Sequence, residues 1–299
     1  MTREIAVEGN HLSATKRRSG FTLIELLVVI AIIGILAGLI LAAVMAFLNK
    51  GPQVQNRHDI LQLSAALQIF KNKERVYPPN QIKLCSNYAS YGATQLDKDS
   101  IAFLATLWPE LGNFKGINWA SRGGPTAPVF GNAANPTTDI LDGDQCLVFF
   151  LAGPPNIAGQ ASAGLLGFST NPLNPVDQST IRKKYFDFEV GRLFNRGATP
   201  SKFPSYYDVY GKQPFIYFSS NRRPNGYDTT ANSLGVKPYL MQSGPPTKFY
   251  MPESFQLISA GADGAFGPGG GWTEASAGAI PVPGKDDVTN FHDGFMGNP

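Results

Sequence analysis

The sequence predicts an α+β protein, in which a long N-terminal helix packs on a small antiparallel sheet and a large loop-rich insertion enlarges the head. Two observations support the helix: a long apolar run begins near residue 21, and a stretch with helical apolar spacing follows it. A third supports the sheet, because two short segments rich in aromatic and aliphatic residues lie near the C-terminus. The 32 glycines and 23 prolines predict many turns between these elements.

Most of the formal net charge of +3 lies in the first twenty residues. They carry four basic and two acidic side chains, which leaves 21 basic and 20 acidic residues in the other 279. The rest of the chain is therefore close to neutral. It has no basic excess of the kind that predicts nucleic-acid binding.

A candidate membrane helix follows the basic cluster Lys16–Arg18. From Leu26 to Leu48 the chain has 23 uncharged, mostly apolar residues. A helix of that length rises about 34 Å, enough to cross the hydrocarbon core of a bilayer. The basic cluster predicts that the N-terminus stays in the cytoplasm and that the rest of the chain is exported. A plain signal anchor would fit this length, but it would leave the carboxylate of Glu25 inside the apolar run unexplained.

The residues from Arg17 to Glu25, R-R-S-G-F-T-L-I-E, resemble the type III signal of type IV prepilins and type II secretion pseudopilins. The resemblance implies that a membrane prepilin peptidase cuts between Gly20 and Phe21 and that the new amino group becomes methylated, giving N-methylphenylalanine. It also implies that Glu25 neutralises the N-terminal amine of a neighbouring subunit in a filament core, where an unpaired charge is unfavourable. Residues 1–20 are then a leader peptide.

The transmembrane and assembly helix is assigned to residues 21–48, and an amphipathic stalk helix to residues 49–79. Gly51-Pro52 predicts an interruption or kink between them. The stalk has apolar side chains at helical spacing on one face: Ile60, Leu63, Leu67 and Phe70. Tyr77-Pro78-Pro79 is expected to stop a helix of about fifty residues. This helix followed by Y-P-P is similar to the stalk of pseudopilins.

Residues 80–203 are predicted to be an irregular insertion into the head, far longer than the corresponding part of a minimal pseudopilin. Between its turn signals, Gln145–Leu151 is expected to be a buried strand or a short helix. Lys184–Val190 alternates polar and apolar residues as a strand does. Cys85 and Cys146 form a candidate disulfide in an exported protein, and their spacing matches no metal motif.

Residues 204–299 are predicted to hold the C-terminal strands and a Gly/Asp-rich loop. Phe215–Phe218 and Phe255–Ser259 are the two strands, and antiparallel pairing is the simplest arrangement. The region looks like the C-terminal half of the major pseudopilin, in which a D-x-W/Y-G-x-P turn, a strand and an S-x-G-A-D-G loop occur in this order. Ser259–Gly264 fits the loop, whereas Asp208–Pro214 has one extra residue in the turn.

A calcium site is implied by the same resemblance. In the family, the aspartate that matches Asp263 is one ligand, and a downstream acidic pair, matched here by Asp286 and Asp287, supplies others. Ca²⁺ takes six to eight oxygen ligands, so backbone carbonyls would have to complete the shell. The segment between Asp263 and the pair is long, and Glu274 or Asp293 is an alternative ligand. A solvated loop without metal is the competing interpretation.

Catalytic motifs are missing from the sequence. There is no H-E-x-x-H, G-x-S-x-G or Walker A pattern, and the three histidines, His11, His58 and His292, form no ligand motif. The tail residue His292 is expected to lie at the surface. The sequence therefore predicts a protein that is not an enzyme.

The resemblance favours a type II secretion pseudopilin. It implies a single-pass inner-membrane protein with its C-terminal head in the periplasm. Inner-membrane machinery would assemble it, with itself and with other pilins or pseudopilins, into a periplasmic filament that drives protein export. One alternative is a type IV pilin or minor pilin that forms a surface filament for adhesion, motility or DNA uptake. Another is a tip or surface binding subunit, with Trp108, Trp119 and Tyr88 as candidate binding residues that the protein core would explain equally.

Overall fold

The computed structural model describes most of the chain after the predicted leader. The described residues are 21–119, 138–156, 160–177, 182–196, 202–220, 223–230, 232, 234–279 and 283–297. The chain divides into two compact units, of which the first ends at Lys50 and the second spans Gly51–Pro299.

Helices and short strands alternate along the described residues. The α-helices are α1 (Leu23–Glu74), α2 (Gln95–Leu107) and α3 (Gly143–Ala152). The strands are β1 (Gln81–Cys85), β2 (Thr138–Asp142), β3 (Phe168–Ser169), β4 (Arg182–Lys183), β5 (Leu193–Phe194), β6 (Ser205–Tyr206), β7 (Ile216–Ser219), β8 (Tyr239–Gln242), β9 (Lys248–Phe249), β10 (Phe255–Ser259), β11 (Gly270–Gly271) and β12 (Val288–Thr289). Short 3₁₀ turns lie at Tyr88–Ser90, Pro109–Leu111, Ala161–Ala163, Val190–Arg192 and Glu274–Ala279.

Helix α1 has 52 residues, as the apolar run and the amphipathic stretch together predict. The predicted interruption at Gly51-Pro52 is wrong, because Pro52 lies inside the helix. A proline removes one backbone hydrogen bond, and the turns on both sides keep theirs. The helix ends at Glu74, because the next residue, Arg75, adopts a left-handed φ of 66°; its N–H still donates to the Lys71 carbonyl at 2.8 Å.

The stalk half of α1 supplies one wall of the main hydrophobic core. The predicted apolar face is confirmed, since all four of its side chains are buried: Ile60, Leu63, Leu67 and Phe70. Phe70 makes edge contacts with Phe150 of α3 and with Tyr185. Full burial of one such side chain stabilises the folded state by about 1.5–3 kcal/mol, so this face anchors the head to its helix.

A three-stranded antiparallel sheet, ordered β12-β10-β7, divides the head into two cores. Leu257 of β10 lies opposite Tyr217 of β7, which confirms the predicted antiparallel pairing and the α+β class. Alternate side chains point to opposite faces: Tyr217 belongs to the main core around α1 and α3, and Ile216 and Phe218 to a smaller core around Trp272. A second sheet is ordered β11-β8-β9, and β1–β2, β3–β4 and β5–β6 are two-stranded pairs.

The predicted insertion is more regular than its composition indicates. It contains α2, and Gln145–Leu151 lies within α3, so the short-helix alternative applies there. The predicted strand over Lys184–Val190 is wrong. The N–H groups of Tyr185 and Phe186 both donate to the carbonyl of Leu151 at the end of α3, at 2.7 and 3.2 Å, and the chain therefore leaves the short strand β4.

The two cysteines are free thiols in this structure, so the candidate disulfide is not formed. Cys146 Sγ lies 3.5 Å from the Leu141 carbonyl, and Leu141 pairs with Ile82. Cys85, which pairs with Thr138, lies three residues beyond Ile82 along β1. At the rise of a strand, that separation is about 10 Å. Disulfides need Cα atoms within about 7 Å, and residues three apart on a strand face opposite sides.

Asp97 ties α2 to β1 and makes the fold sensitive to acid. The Lys83 ammonium donates to its Oδ1 at 2.5 Å, and Thr94 donates its backbone N–H to Oδ2 at 3.2 Å. The Lys83 hydrogen bond, followed by the one from Thr94, holds the pKa of Asp97 well below its usual range. A lowered folded-state pKa contributes stability that is present above the unfolded pKa of about 3.9 and is lost as the pH falls below it.

We therefore expect Asp97→Asn to lower the free energy of unfolding by about 1.5–3 kcal/mol at pH 7, since a hydrogen bond to a charged group is lost. The difference from the unsubstituted protein should shrink at pH 3. Thermal unfolding of the detergent-solubilised full chain, followed by circular dichroism at both pH values, measures this. Asp99→Asn, an exposed change on the same helix, is the matched control. An equal difference at both pH values would contradict the assignment.

Candidate functional site

The N-terminal segment begins α1 with a reciprocal cap. Thr22 precedes the helix, and both its backbone N–H and its hydroxyl donate to Glu25 Oε2 at 2.8 Å, while the Glu25 N–H donates to Thr22 Oγ1 at 3.3 Å. This is a capping box, which satisfies backbone donors that the first turn of a helix leaves free. Phe21 is exposed beside it. Gly20, the predicted cleavage position, lies outside the described residues.

Thr22 is a functional candidate that the sequence analysis missed. The signal was present, because a threonine followed three residues later by glutamate and then by an apolar run is the pattern of a capping box. In the single subunit, the Glu25 carboxylate is therefore held locally by Thr22. It is not buried in the protein.

The helix that follows is long and apolar enough to cross a membrane. Its span Leu23–Leu41 has a mean hydropathy of 3.0, and none of it is buried within the protein. It is the one helix of this kind in the described part of the chain. An apolar surface of this length needs lipid or other protein around it.

The turn at Asp208 is a buried polar junction in the head. Asp208 Oδ1 accepts the N–H groups of Tyr210 and Gly211 at 3.0 and 3.1 Å. Its Oδ2 accepts the hydroxyl of Ser259 at 2.8 Å, and Ser259 Oγ in turn accepts from Asn56 Nδ2 of α1 at 2.8 Å. Burial raises the pKa of Asp208, and these hydrogen bonds oppose that shift. The turn, the end of β10 and the stalk helix are therefore tied together.

Strand pairing explains why the predicted calcium ligands lie at one end of the sheet. Ser259 ends β10 and pairs with Val288, which begins β12. Asp263 follows Ser259 in the chain and Asp286-Asp287 precede Val288, so antiparallel pairing brings the two acidic segments together. The backbone N–H of Asp263 donates to Asp286 Oδ2 at 2.9 Å. Asp263 itself is exposed, and its Oδ1 accepts the N–H of Ala265.

Asp287 is fully buried, and one of its carboxylate oxygens has no partner. Its Oδ2 accepts from the Gly267 N–H at 2.9 Å and from the Tyr239 hydroxyl at 3.3 Å. Its Oδ1 is buried without a hydrogen bond from any described residue. Burial raises the pKa of Asp287 to about 7, and the negative charges of Asp286 and Asp263 add to the shift. A buried carboxylate of this kind is costly unless a cation or donor compensates it.

The fit of this loop to Ca²⁺ is mixed. The unpartnered oxygen of Asp287 and the oxygen-only chemistry suit the ion. In the described residues, however, no three histidine, cysteine or acidic side chains are placed to hold a metal together. The alternative ligands are engaged elsewhere: Glu274 lies 3.6 Å from His292 Nδ1, and Asp293 pairs with Arg57. Backbone carbonyls would have to supply most of the shell.

The three aromatic residues that were candidates for a binding surface differ in how deeply the structure buries them. Trp119 is fully buried and donates its Nε1–H to the Cys85 carbonyl at 2.8 Å, so it belongs to the core. Trp108 is half-buried, and Tyr88 lies at the surface. His292 was expected at the surface and is buried instead, because its ring packs on Trp272 with centroids 5.0 Å apart.

Comparisons with known proteins agree with the N-terminal assignment. A family model described as the prokaryotic N-terminal methylation motif matches residues 15–46. The type II secretion system core protein G of Aeromonas hydrophila is 41% identical over 66 residues, which cover 22% of this chain and 46% of that protein. Its counterparts from Pseudomonas aeruginosa and Escherichia coli K12 are 39% identical over 66 and 67 residues, with the same shares covered.

The similarity is confined to the N-terminal part of this chain. The matched segment spans less than half the length of these curated relatives. No solved structure matches the chain. The chain thus carries the N-terminal methylation motif and is related there to type II secretion core proteins.

Proposed function

We propose that this protein is a structural subunit of a type II secretion pseudopilus. One observation carries the proposal: residues 15–46, which include Gly20, Phe21 and Glu25, match the N-terminal methylation motif, and the N-terminal part of the chain is similar to the core proteins of that system. In this proposal, a prepilin peptidase removes residues 1–20 and Phe21 becomes the methylated N-terminus. The role is structural, and no catalytic step is assigned to the chain.

Membrane anchoring follows from the apolar half of α1. The basic residues before it keep the leader in the cytoplasm, so the head occupies the periplasm. Inner-membrane machinery then moves the subunit from the lipid into a helical filament, together with copies of itself and other pseudopilins. Identical subunits that meet through a heterologous, non-closing contact form such a filament.

Glu25 has one partner in the free subunit and a different partner in the proposed filament. In the free subunit, Thr22 supplies its hydrogen-bond partners. In the filament, the carboxylate pairs with the amine of Phe21 on a neighbour. A desolvated filament core favours this exchange, since a charge that is buried without its partner is strongly destabilising.

A calcium ion at the Gly/Asp loop is the second part of the proposal. Asp287 supplies its unpartnered Oδ1, and Asp286 and Asp263 lie close enough to contribute to its raised pKa. The ion would offset two of the three negative charges of these carboxylates and would fix the ends of β10 and β12. The observation that supports it is the buried oxygen atom of Asp287.

The secreted proteins of the source bacterium test the secretion role. We expect a defined set of exported proteins to disappear from the culture medium when the gene is deleted, and to return when the intact gene is supplied. Mass spectrometry of the medium from the three strains measures this. An unchanged medium would contradict the secretion role and favour a surface pilus for adhesion, motility or DNA uptake.

A further inference from the structure

The head contains a cavity of about 210 Å³ beside the C-terminal end of α1. Its walls come from α1, the end of α2, and the β3–β4 pair. The side chains that matter for its chemistry are Phe70, Lys73, Glu74, Trp108, Lys183 and Tyr185. Trp108, Lys183 and Tyr185 belong to the predicted insertion, residues 80–203, and the cavity has no part in the proposed assembly mechanism.

Aromatic rings form a rigid apolar wall in this cavity. Trp108 packs edge-on against Phe168 with centroids 5.1 Å apart, and Tyr185 packs against Phe70 at 4.9 Å. Phe168 and Phe70 are buried in the main core, so the half-buried Trp108 and Tyr185 are held in place from behind. A preformed aromatic wall with a few polar groups is typical of small-molecule sites.

The polar groups of the cavity leave an excess of positive charge. Glu74 Oε1 accepts the Tyr185 hydroxyl and lies 3.9 Å from the Lys73 ammonium. Lys73 lies over the Tyr185 ring, 5.0 Å from its centroid. The Lys183 side chain is exposed, and its ammonium has no hydrogen-bond or ion-pair partner among the described residues. Two ammonium groups therefore face one carboxylate that already has partners.

We propose that this cavity binds one hexuronate, a sugar ring that carries a carboxylate. The volume lies below the range of about 300–1,000 Å³ of sites for drug-sized ligands and suits a single six-membered ring. The apolar face of the ring would lie on Trp108, and the sugar carboxylate would pair with Lys183 and Lys73. Glu74 and the exposed Thr170 line the same cavity, and their side-chain oxygens would bind the ring hydroxyls.

Calorimetric titration of the full chain tests this, in a detergent whose headgroup is not a sugar. We expect D-galacturonate to bind and its methyl ester, which lacks the charge, to bind at least about tenfold more weakly. Lys183→Met should weaken galacturonate binding by a similar factor. The matched control is Lys184→Met, which removes the neighbouring ammonium outside the cavity and should leave binding unchanged.

Tetragalacturonate distinguishes a free sugar from one unit of a polymer. Tighter binding of the tetramer, lost in Lys183→Met, would assign a polysaccharide, and equal affinity would assign the free acid. Equal binding of the acid and its ester would overturn the proposal, as would equal binding by the Lys183→Met and Lys184→Met variants or no binding of galacturonate. The assembly role does not depend on this cavity, so these outcomes leave it unaffected.

Discussion

Replacing Glu25 by glutamine is expected to abolish filament assembly and to stop secretion. The amide keeps the size of the side chain and can still accept from Thr22, but it carries no charge to pair with the amine of Phe21 on a neighbouring subunit. The amine would then be buried without a partner in the filament core. Breaking a buried ion pair by removing one partner is strongly destabilising, and every subunit in the filament would be affected.

The measurement is the amount of assembled filament in the cell envelope and the protein content of the medium, both with a Glu25→Gln copy as the sole copy of the gene. Glu253→Gln, a change of the same chemistry at an exposed position of the head, is the matched control. Gel mobility should show that the leader is removed from both variants, so that a loss is assigned to assembly. Normal filaments and secretion in Glu25→Gln would refute the pairing.

Calcium is expected to stabilise the head strongly. At a concentration one hundred times the dissociation constant, a ligand adds about 2.7 kcal/mol to the free energy of unfolding. For a head of this size that corresponds to a rise in melting temperature of roughly 5–10 °C. Melting curves of the solubilised full chain with Ca²⁺ and then with a chelator measure it. The absence of a shift would remove the metal from the proposed function.

The pH dependence of stability and a substitution of Asp287 test the calcium site more specifically. Its folded-state pKa of about 7 lies above the usual unfolded value, so without metal the stability should fall as the pH rises from about 4 to about 7. Calcium should reverse the loss. Asp287→Asn should abolish the calcium shift and be at least as stable as the unsubstituted protein in chelator at pH 8. Asp228→Asn, at an exposed loop position, is the control. A calcium shift that persists in Asp287→Asn would exclude this carboxylate.

The features that the sequence predicted correctly depend on local patterns. The apolar face of the stalk could be identified because its residues recur at helical spacing on one helix. The pairing of the two C-terminal strands could be identified because both are short apolar runs near a turn. Thr22 was not predicted, although the capping pattern that it forms with Glu25 is equally local.

The features that were predicted wrongly depend on distant partners. Lys184–Val190 alternates as a strand should, but its first N–H groups bond to the end of α3, which no periodicity reveals. The two cysteines are compatible with a disulfide in composition alone. Their separation is set by the β1–β2 register, which depends on a pairing across more than fifty residues. The orphaned oxygen of Asp287 is likewise a product of tertiary packing.

The two buried thiols can report how often the core opens, because a reagent reaches them only in the open state. Burial raises the pKa of Cys146 well above its ordinary value and also raises that of Cys85, and a thiol reagent attacks the thiolate. Neither sulfur can be alkylated until the surrounding packing separates. The rate at which a thiol reagent labels the protein would therefore report how often the core of the head opens.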